Sequence, residues 1–256
     1  RMQAKFVAQR IRDLIEEGTD PNEIAVLYRA HFHSMELQME LTRGEIPFRI
    51  TSGIRFFEQA HIKDVVAFMR FVVNPRDELS FRRMVMLLPG IGPGMAQKLW
   101  IRWAACPESR LETPPESFSA LMLDFPVPAK SKTAWTQLCY TLDELAPAGK
   151  IAGPASMLIS INEAVYDEYM QAAFENYDQR RQDLLHLAGF SERFESTEDF
   201  LSQLSLLGNT DDESAAADLS GGAVTLSTIH QAKGLEWSVV FLIGLCDGMF
   251  PHQRVI

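Results

Sequence analysis

Hydrophobic and polar positions in the first third of the chain alternate between the helical period of about 3.6 residues and the short apolar runs typical of buried strands. The predicted elements, in chain order, are a helix at 1–12, a strand at 23–28, a helix at 34–42, a strand at 46–50 and a helix at 58–73. Pro47 places the second strand at a sheet edge, because proline cannot donate to a central ladder. This alternation is typical of a parallel α/β unit.

The middle of the chain, residues 88–218, has helical periodicity that prolines interrupt repeatedly. Its longest amphipathic stretches, 154–188 and 196–207, predict a helical subdomain, and the polar residues 208–218 predict an exposed linker. The strand pattern returns near residue 223, passes through a polar turn and enters a second apolar strand. This order predicts an α/β fold that a helical insertion divides.

The composition is that of an ordinary soluble globular protein, since 46% of the 256 residues are hydrophobic and 23% are charged. No segment approaches the ~18 consecutive apolar residues of a membrane span, and the amphipathic N-terminus does not resemble a signal peptide. No membrane partner is therefore expected. The three cysteines, Cys106, Cys139 and Cys246, are widely spaced without a metal-ligand pattern, and are interpreted as buried thiols in a reducing cytoplasm.

The formal net charge of −10 disfavours a nucleic-acid partner until its distribution is considered. Residues 88–218 hold 9 Lys/Arg against 20 Asp/Glu, whereas residues 1–87 hold 13 against 12 and residues 219–256 hold 2 against 2. The acidity therefore belongs to the middle of the chain. A locally basic run lies in the first part: Arg49, Arg55, Lys63, Arg70, Arg76, Arg82 and Arg83. These residues could contact phosphates, although a solvated helix face explains most of them.

The returning strand pattern, residues 224–245, contains the most informative segment of the chain. Polar residues and a glycine occupy the turn between its two strands: Thr228, His230, Lys233, Gly234 and Glu236. Side chains at the carboxyl ends of parallel strands are the ones that α/β sheets present to ligands. The turn sequence TIHQAKGLE closely resembles the fifth conserved motif of UvrD/Rep/PcrA-type superfamily 1 DNA helicases.

This resemblance implies that the turn helps to couple ATP to single-stranded DNA. Thr228 and His230 would contact the phosphate and base of the DNA strand, whereas Gly234 and Glu236 would lie near the nucleotide. Lys233 fits either ligand. From the residues alone, a histidine after a strand is usually an ordinary polar side chain that has found its hydrogen bonds.

The first predicted strand ends in the sequence IAVLYRA, residues 24–30. From the residues alone, the Tyr28 ring can stack on a base and the Arg29 guanidinium can neutralise phosphate oxygens, although such a pair more often packs on the surface. The sequence resembles the fourth motif of the same helicases. That resemblance implies that Tyr28 stacks on adenine and that Arg29 is an arginine finger on the γ-phosphate, a role worth roughly 10³–10⁵ in rate.

Residues 44–64 resemble the stretch that follows the fourth motif in this family. Phe56 and Phe57 belong either to the core or to a stacking platform for a base, and the core is expected for at least one of them. Relatives usually carry a more basic sequence where this chain has residues 59–61, Gln-Ala-His. This departure argues against a nucleic-acid role for those positions.

The segment LPGIGPGMAQKL, residues 88–99, places Gly90, Gly92 and Gly94 before a predicted helix. Backbone N–H groups can approach a phosphate closely there, with the helix dipole behind them. The pattern resembles a helix-hairpin-helix element and the Gly-Ile-Gly turn with which this family faces duplex DNA, where Lys98 would add a phosphate contact. A plain glycine turn between two helices is the alternative interpretation.

The sequence contains no Gly-x-x-x-x-Gly-Lys-Ser/Thr phosphate loop, the element that holds ATP phosphates and Mg²⁺ in such enzymes. In the family, that loop lies in a first RecA-like domain, and ATP binds in the cleft between two such domains. The chain is therefore expected to be a fragment with an incomplete RecA-like parallel sheet. Residues 1–87 would begin the second RecA-like domain, residues 88–218 would form its helical insertion, and residues 219–256 would continue it, truncated before the sixth motif.

The resemblance implies that the intact enzyme is a cytoplasmic, nucleoid-associated DNA helicase that uses ATP and Mg²⁺, moves along single-stranded DNA and unwinds duplex at a junction. The fragment alone is expected to bind neither cofactor and to hydrolyse no ATP. One alternative is a non-catalytic helicase-like module that binds DNA or protein in a repair or nuclease complex. The other is an unrelated α/β enzyme acting on a small molecule.

Overall fold

The structure is a computed structural model that describes residues 2–51, 56–110, 113–208 and 222–246. Packing divides the chain into a sheet unit, residues 1–59 with 205–256, and a helical unit, residues 60–204. Three features of the sequence lie outside the described residues: Arg55, the predicted linker beyond residue 208, and residues 251–256.

The sheet unit contains four parallel strands, β1 (Ile24–Tyr28), β2 (Phe48–Ile50), β3 (Val224–Thr228) and β4 (Val239–Leu242). Their order across the sheet is β2-β3-β1-β4, so β2 lies at an edge, as its proline predicts. All five residues of β3 are buried, which is typical of a central parallel strand. The predicted parallel α/β fold is confirmed.

Two helices, α1 (Met2–Glu16) and α2 (Met35–Arg43), pack on one face of this sheet. In α1, the buried residues Ala4, Val7, Ala8 and Ile11 follow the i, i+3, i+4, i+7 spacing of a single helical face. They meet alternate residues of the strands, among them Val26 of β1. Burial of each large aliphatic side chain contributes roughly 1.5–3 kcal/mol, so this layer is the main stabilising element of the sheet unit.

The helical unit follows the predicted insertion of helices. Its helices are α3 (Ala60–Val73), α4 (Glu78–Val85), α5 (Pro93–Ala104), α6 (Phe118–Met122), α7 (Lys132–Leu145), α8 (Pro154–Ile161), α9 (Asp167–Ala173), α10 (Tyr177–Ser191) and the start of α11 (Thr197–Gly208). A wide π-helical turn, Asn162–Tyr166, joins α8 to α9. Within the described residues, every helix is too short or too polar to cross a membrane.

An aromatic cluster forms the core of the helical unit. The Phe71 ring contacts those of Phe81, Trp103 and Phe118 with centroids 5.2 to 5.6 Å apart. Trp103 also stacks on Phe118 at 5.9 Å, and its indole donates to the Pro75 carbonyl. Because Phe71 lies on α3 and Phe81 on α4, both helices pack into this unit. The helical unit defined by packing thus runs from residue 60 to residue 204, whereas the sequence analysis expected an insertion from 88 to 218. The expected domain boundaries stay a prediction.

The cysteines are free thiols in three different environments. Cys139 is buried in α7, and its burial, followed by the charge of Asp143, raises the pKa of the thiol to about 12. Cys106 is only partly buried and Cys246 is exposed. The interpretation of all three as buried thiols was therefore wrong for Cys246, which lies in the irregular segment that follows the edge strand β4.

His61 is fully buried at the start of α3, where it joins α3 to α10. Arg180 Nη1 lies 2.8 Å from His61 Nδ1, and Asp183 Oδ2 lies 3.3 Å from His61 Nε2. Because arginine can only donate, His61 Nδ1 is the acceptor of the hydrogen bond from Arg180. The Arg180 guanidinium also lies over the Phe174 ring, 3.9 Å from its centroid. His61 is therefore a packed internal side chain and is not available to DNA.

Replacing His61 by phenylalanine should lower the free energy of unfolding by about 1–3 kcal/mol, because Arg180 loses the Nδ1 acceptor and the buried Asp183 loses the imidazole beside it. Urea denaturation followed by circular dichroism measures this loss. Lys63→Ala, an exposed change on the same helix, is the matched control and should stay within about 0.5 kcal/mol of the parent. A His61→Phe variant as stable as that control would show that the cluster does not hold α3 to α10.

Candidate nucleotide and nucleic-acid sites

The two strand ends that carry the sequence motifs are neighbours in the sheet. Tyr28 of β1 lies opposite Thr228 of β3, and the Ile229 N–H donates to the Tyr28 carbonyl over 2.9 Å. Since parallel strands present their carboxyl ends at one edge, Arg29 and His230 emerge together there. The pairing brings together two segments that the whole helical insertion separates in sequence.

Arg29 is exposed immediately after β1, and no ion pair to it occurs within the described part of the chain. A guanidinium in this position retains its charge and its five donors for an external anion. The structure thus places Arg29 where an anionic ligand at the sheet edge can reach it.

Tyr28 differs from the sequence expectation, because its side chain is fully buried in the core beneath the sheet edge. Burial raises the pKa of its hydroxyl to about 12, an effect that the nearby Ser34 hydroxyl only partly opposes. Ser34 already donates to the His31 carbonyl and accepts from Gln38, and among the described residues the Tyr28 hydroxyl has no hydrogen-bond partner. In this conformation the ring cannot stack on a base.

Residues 229–236 form a compact turn after β3, in which the N–H groups of Gln231 and Ala232 both donate to the Thr228 carbonyl. Gly234 has a φ of +84°, a left-handed conformation that favours glycine. The turn exposes three of the predicted side chains: His230, Lys233 and Glu236. These side chains and Gly234 are accessible to a ligand.

Thr228 is mostly buried, and its hydroxyl donates to Gln231 Oε1 over 2.9 Å. Gln231, which the sequence analysis did not select, therefore shares the candidate site and orients Thr228. The sequence feature that could have predicted this hydrogen bond is the three-residue spacing between a threonine and a glutamine at a turn. Thr51, after β2, donates to Ser227 Oγ over 2.6 Å and adds a second hydroxyl pair to this edge.

The glycine turn lies in the helical unit, where Gly92 is the N-cap of α5 and Pro93 occupies the first helical position. Ile91 is buried and anchors the turn, whereas Gly90, Gly92, Gly94 and Lys98 are all exposed. Gly90 has a φ of +81°. The open N-terminus of this 12-residue helix provides free N–H groups and a favourable dipole for an anion.

Lys130 packs directly against this turn. A Cβ atom added at Gly90 would overlap the aliphatic chain of Lys130, whereas one added at Gly92 or Gly94 would meet no described atom within 4 Å. Ser131 donates to the Pro89 carbonyl over 2.5 Å, which ties the Lys130 segment to the turn. The positive φ of Gly90 favours glycine there, although the exposed Lys130 side chain could move aside, while positions 92 and 94 leave the backbone open to a ligand.

Residues 1–106 and 161–256 match the model of the UvrD-like helicase C-terminal domain family. The match includes both motif-bearing strands and the glycine turn. The chain belongs to this family.

This UvrD-like chain is similar in sequence to two ATP-dependent DNA helicases. It is 30% identical to UvrD1 of Mycobacterium tuberculosis over 285 residues and 31% identical to PcrA of Bacillus subtilis over 266 residues. DNA helicase II of Escherichia coli is 29% identical over 271 residues. These alignments cover 98 to 99% of the chain but 35% of each relative. The chain thus spans about one third of the length of these helicases and corresponds to their C-terminal part.

Other residues that the sequence analysis considered as ligand contacts are paired or buried within this UvrD-like chain. In the basic run, Arg83 pairs with the buried Asp64 at 2.7 Å and Arg82 pairs with Glu78. Phe56 and Phe57 are both buried, so neither offers a face to a base and the stacking-platform alternative is wrong for this conformation. These residues stabilise the fold, and the candidate ligand groups are those of the sheet edge and the glycine turn.

Replacing Gly234 by alanine should lower the free energy of unfolding by about 1–2 kcal/mol, because an L-residue is strained at this positive φ. No described atom lies within 4 Å of the added methyl group, so the loss isolates backbone strain. Gly94→Ala, in the first turn of α5 and outside the positive-φ region, is the matched control and should be neutral or slightly stabilising. Chemical denaturation measures the free energy of unfolding of both variants. An equal loss of stability in the two would contradict the positive φ assigned to Gly234.

Replacing Tyr28 by phenylalanine should be neutral or stabilising, since it removes a buried hydroxyl that has no partner. The folded-state pKa of Tyr28 lies above its ordinary value, so its contribution to stability is present below pH 10 and is lost as pH rises towards about 12. Denaturation at about pH 9 and about pH 11 should show roughly 1 kcal/mol less alkaline loss in Tyr28→Phe than in the parent. Identical pH dependence would mean that Tyr28 is not buried.

Proposed function

We propose that this chain is the part of an ATP-dependent DNA helicase that brings the nucleotide and the single strand to one sheet edge. The observation that carries the proposal is the pairing of β1 with β3, which sets Arg29 and His230 at adjacent strand ends. Membership of the UvrD-like family and the names of its helicase relatives support it.

On the nucleotide side, Arg29 neutralises the charge that develops on the transferring phosphoryl group, while Gly234 and Glu236 lie towards the nucleotide. When bound, ATP with Mg²⁺ supplies the phosphoryl chemistry. The phosphate loop that holds them is absent from this sequence, so the chain alone hydrolyses no ATP. A first RecA-like domain completes the cleft in this proposal.

On the DNA side, Thr228, His230 and Lys233 contact the single strand. The Ile229–Tyr28 hydrogen bond joins this turn to the strand that carries Arg29, so a shift at the nucleotide moves the DNA contacts with it. Coupling of this kind requires only that the ligand binds one arrangement of the two strand ends more tightly than another. In the helical unit, Gly90, Gly92, Gly94 and Lys98 bind the phosphates of the duplex at the junction.

A non-catalytic helicase-like module that binds DNA or protein is the second candidate. The observation that favours it is the burial of Tyr28, which withdraws the ring from a nucleotide base. The exposed Arg29 favours the helicase, because a module that does not bind a nucleotide has no need of a guanidinium at this strand end.

The proposal predicts that the chain binds a labelled duplex with a single-stranded tail, and that its affinity falls steeply with salt. His230→Ala should weaken binding, and Lys233→Ala should weaken it while reducing the salt slope by about 1. Fluorescence anisotropy across a salt series measures both effects.

Lys5→Ala, an exposed lysine on α1 away from the motifs, is the charge-matched control and should leave the affinity unchanged. If the control and Lys233→Ala behave alike, the DNA contacts assigned to the turn are wrong. Absence of binding at low salt would refute the claim that this chain carries a DNA site.

A further inference from the structure

A cavity of about 850 Å³ opens beside the glycine turn, wholly within the helical unit. Its walls are the turn itself, residues 86–92, one face of α7, and the side of the π-helical turn and α9. Ligand sites in proteins typically occupy about 300–1,000 Å³. Because wide π-helical turns occur frequently at functional sites, the wall formed by this turn also favours a binding role.

The cavity is open because small residues line it. Gly90 in the glycine turn, Ala134 on α7, Ala164 in the π-helical turn and Ala172 on α9 leave space between these elements. Tyr169 is the one aromatic ring among its described lining residues. A flat ring that enters this space can stack on the Tyr169 ring.

Tyr169 is held in place by other aromatic residues. Its ring centroid lies 5.5 Å from that of Tyr166 and 6.1 Å from that of Phe174. Tyr166 is itself fixed, because its hydroxyl donates to the buried Asp64 over 2.7 Å. Partial burial, followed by the charge of Asp64, raises the pKa of Tyr169. A pre-positioned aromatic ring loses little conformational entropy when a base stacks on it.

The lining also includes polar side chains of different kinds. Thr133 and Gln137 project from the same face of α7, Glu168 projects from α9, and Lys130 lies against Gly90. No hydrogen bond or ion pair engages these four side chains within the described ranges. An amide, a hydroxyl and a carboxylate can pair with the edge of a base, and the lysine can pair with its phosphate.

We propose that this cavity binds an unpaired nucleobase of the DNA whose phosphates contact the glycine turn, with Tyr169 stacking on the base. The inference rests on the proposed function, because it needs DNA at that turn. Most of the lining is apolar, as the faces of a base require, and four polar side chains and the Tyr169 ring stand among it. This mixture, and the continuity of the cavity with residues 90–92, favour a nucleotide over a wholly apolar protein segment.

The test compares binding of the 256-residue chain to two labelled duplexes, one fully paired and one with a single unpaired thymine. The unpaired thymine should raise the affinity roughly fivefold or more, as expected for base–aromatic stacking. It should also be protected from permanganate oxidation at saturating protein. Tyr169→Ala should abolish both the preference and the protection, whereas Tyr169→Phe should retain them.

Two further variants separate a specific effect from a folding defect. Tyr140→Ala changes an exposed tyrosine on α7 outside the cavity and should keep the preference. Gln137→Ala, an exposed change within the cavity, should reduce it. Equal, salt-dependent binding of both duplexes, insensitive to Tyr169→Ala, would overturn this inference and leave the proposed function intact. Failure to bind either duplex at low salt would overturn this inference together with the duplex contacts proposed for the glycine turn.

Discussion

The parallel pairing of β1 with β3 is the interaction on which the rest of the sheet unit depends. Its register sets Ala25 opposite Thr225 and Tyr28 opposite Thr228, and β2 and β4 each add to one side of this central pair. Because every strand runs in the same direction, all the carboxyl ends reach one edge. An antiparallel arrangement would have put Arg29 and His230 at opposite ends of the strands.

The pairing also explains how the chain carries a large insertion. Once β1 and β3 are adjacent, the sheet does not depend on the length of chain between them, since the entropic cost of loop closure rises slowly with length. The inserted residues 60–204 stabilise themselves through the aromatic cluster around Phe71 and the buried contacts of His61. Each unit is thus stabilised by buried contacts of its own, and each carries one of the two candidate ligand surfaces.

Much of the architecture could be predicted from local patterns. The strands at 24–28 and 224–228, the parallel α/β arrangement and the helical insertion all follow from the spacing of apolar residues. The exposed positions of Arg29 and His230 also agree with their place at strand ends. Such features depend on residues close together in the sequence, where periodicity and turn chemistry are sufficient evidence.

By itself, the sequence determined the order of elements, the family resemblance and the set of side chains available at two turns. Only the tertiary structure decided which of those side chains reach solvent. Tyr28 is buried against helices of the sheet unit, and Lys130 lies across Gly90. The physical reason is that burial and pairing of a polar group depend on residues brought close by the fold. Residues that are distant in sequence cannot be identified from a local pattern.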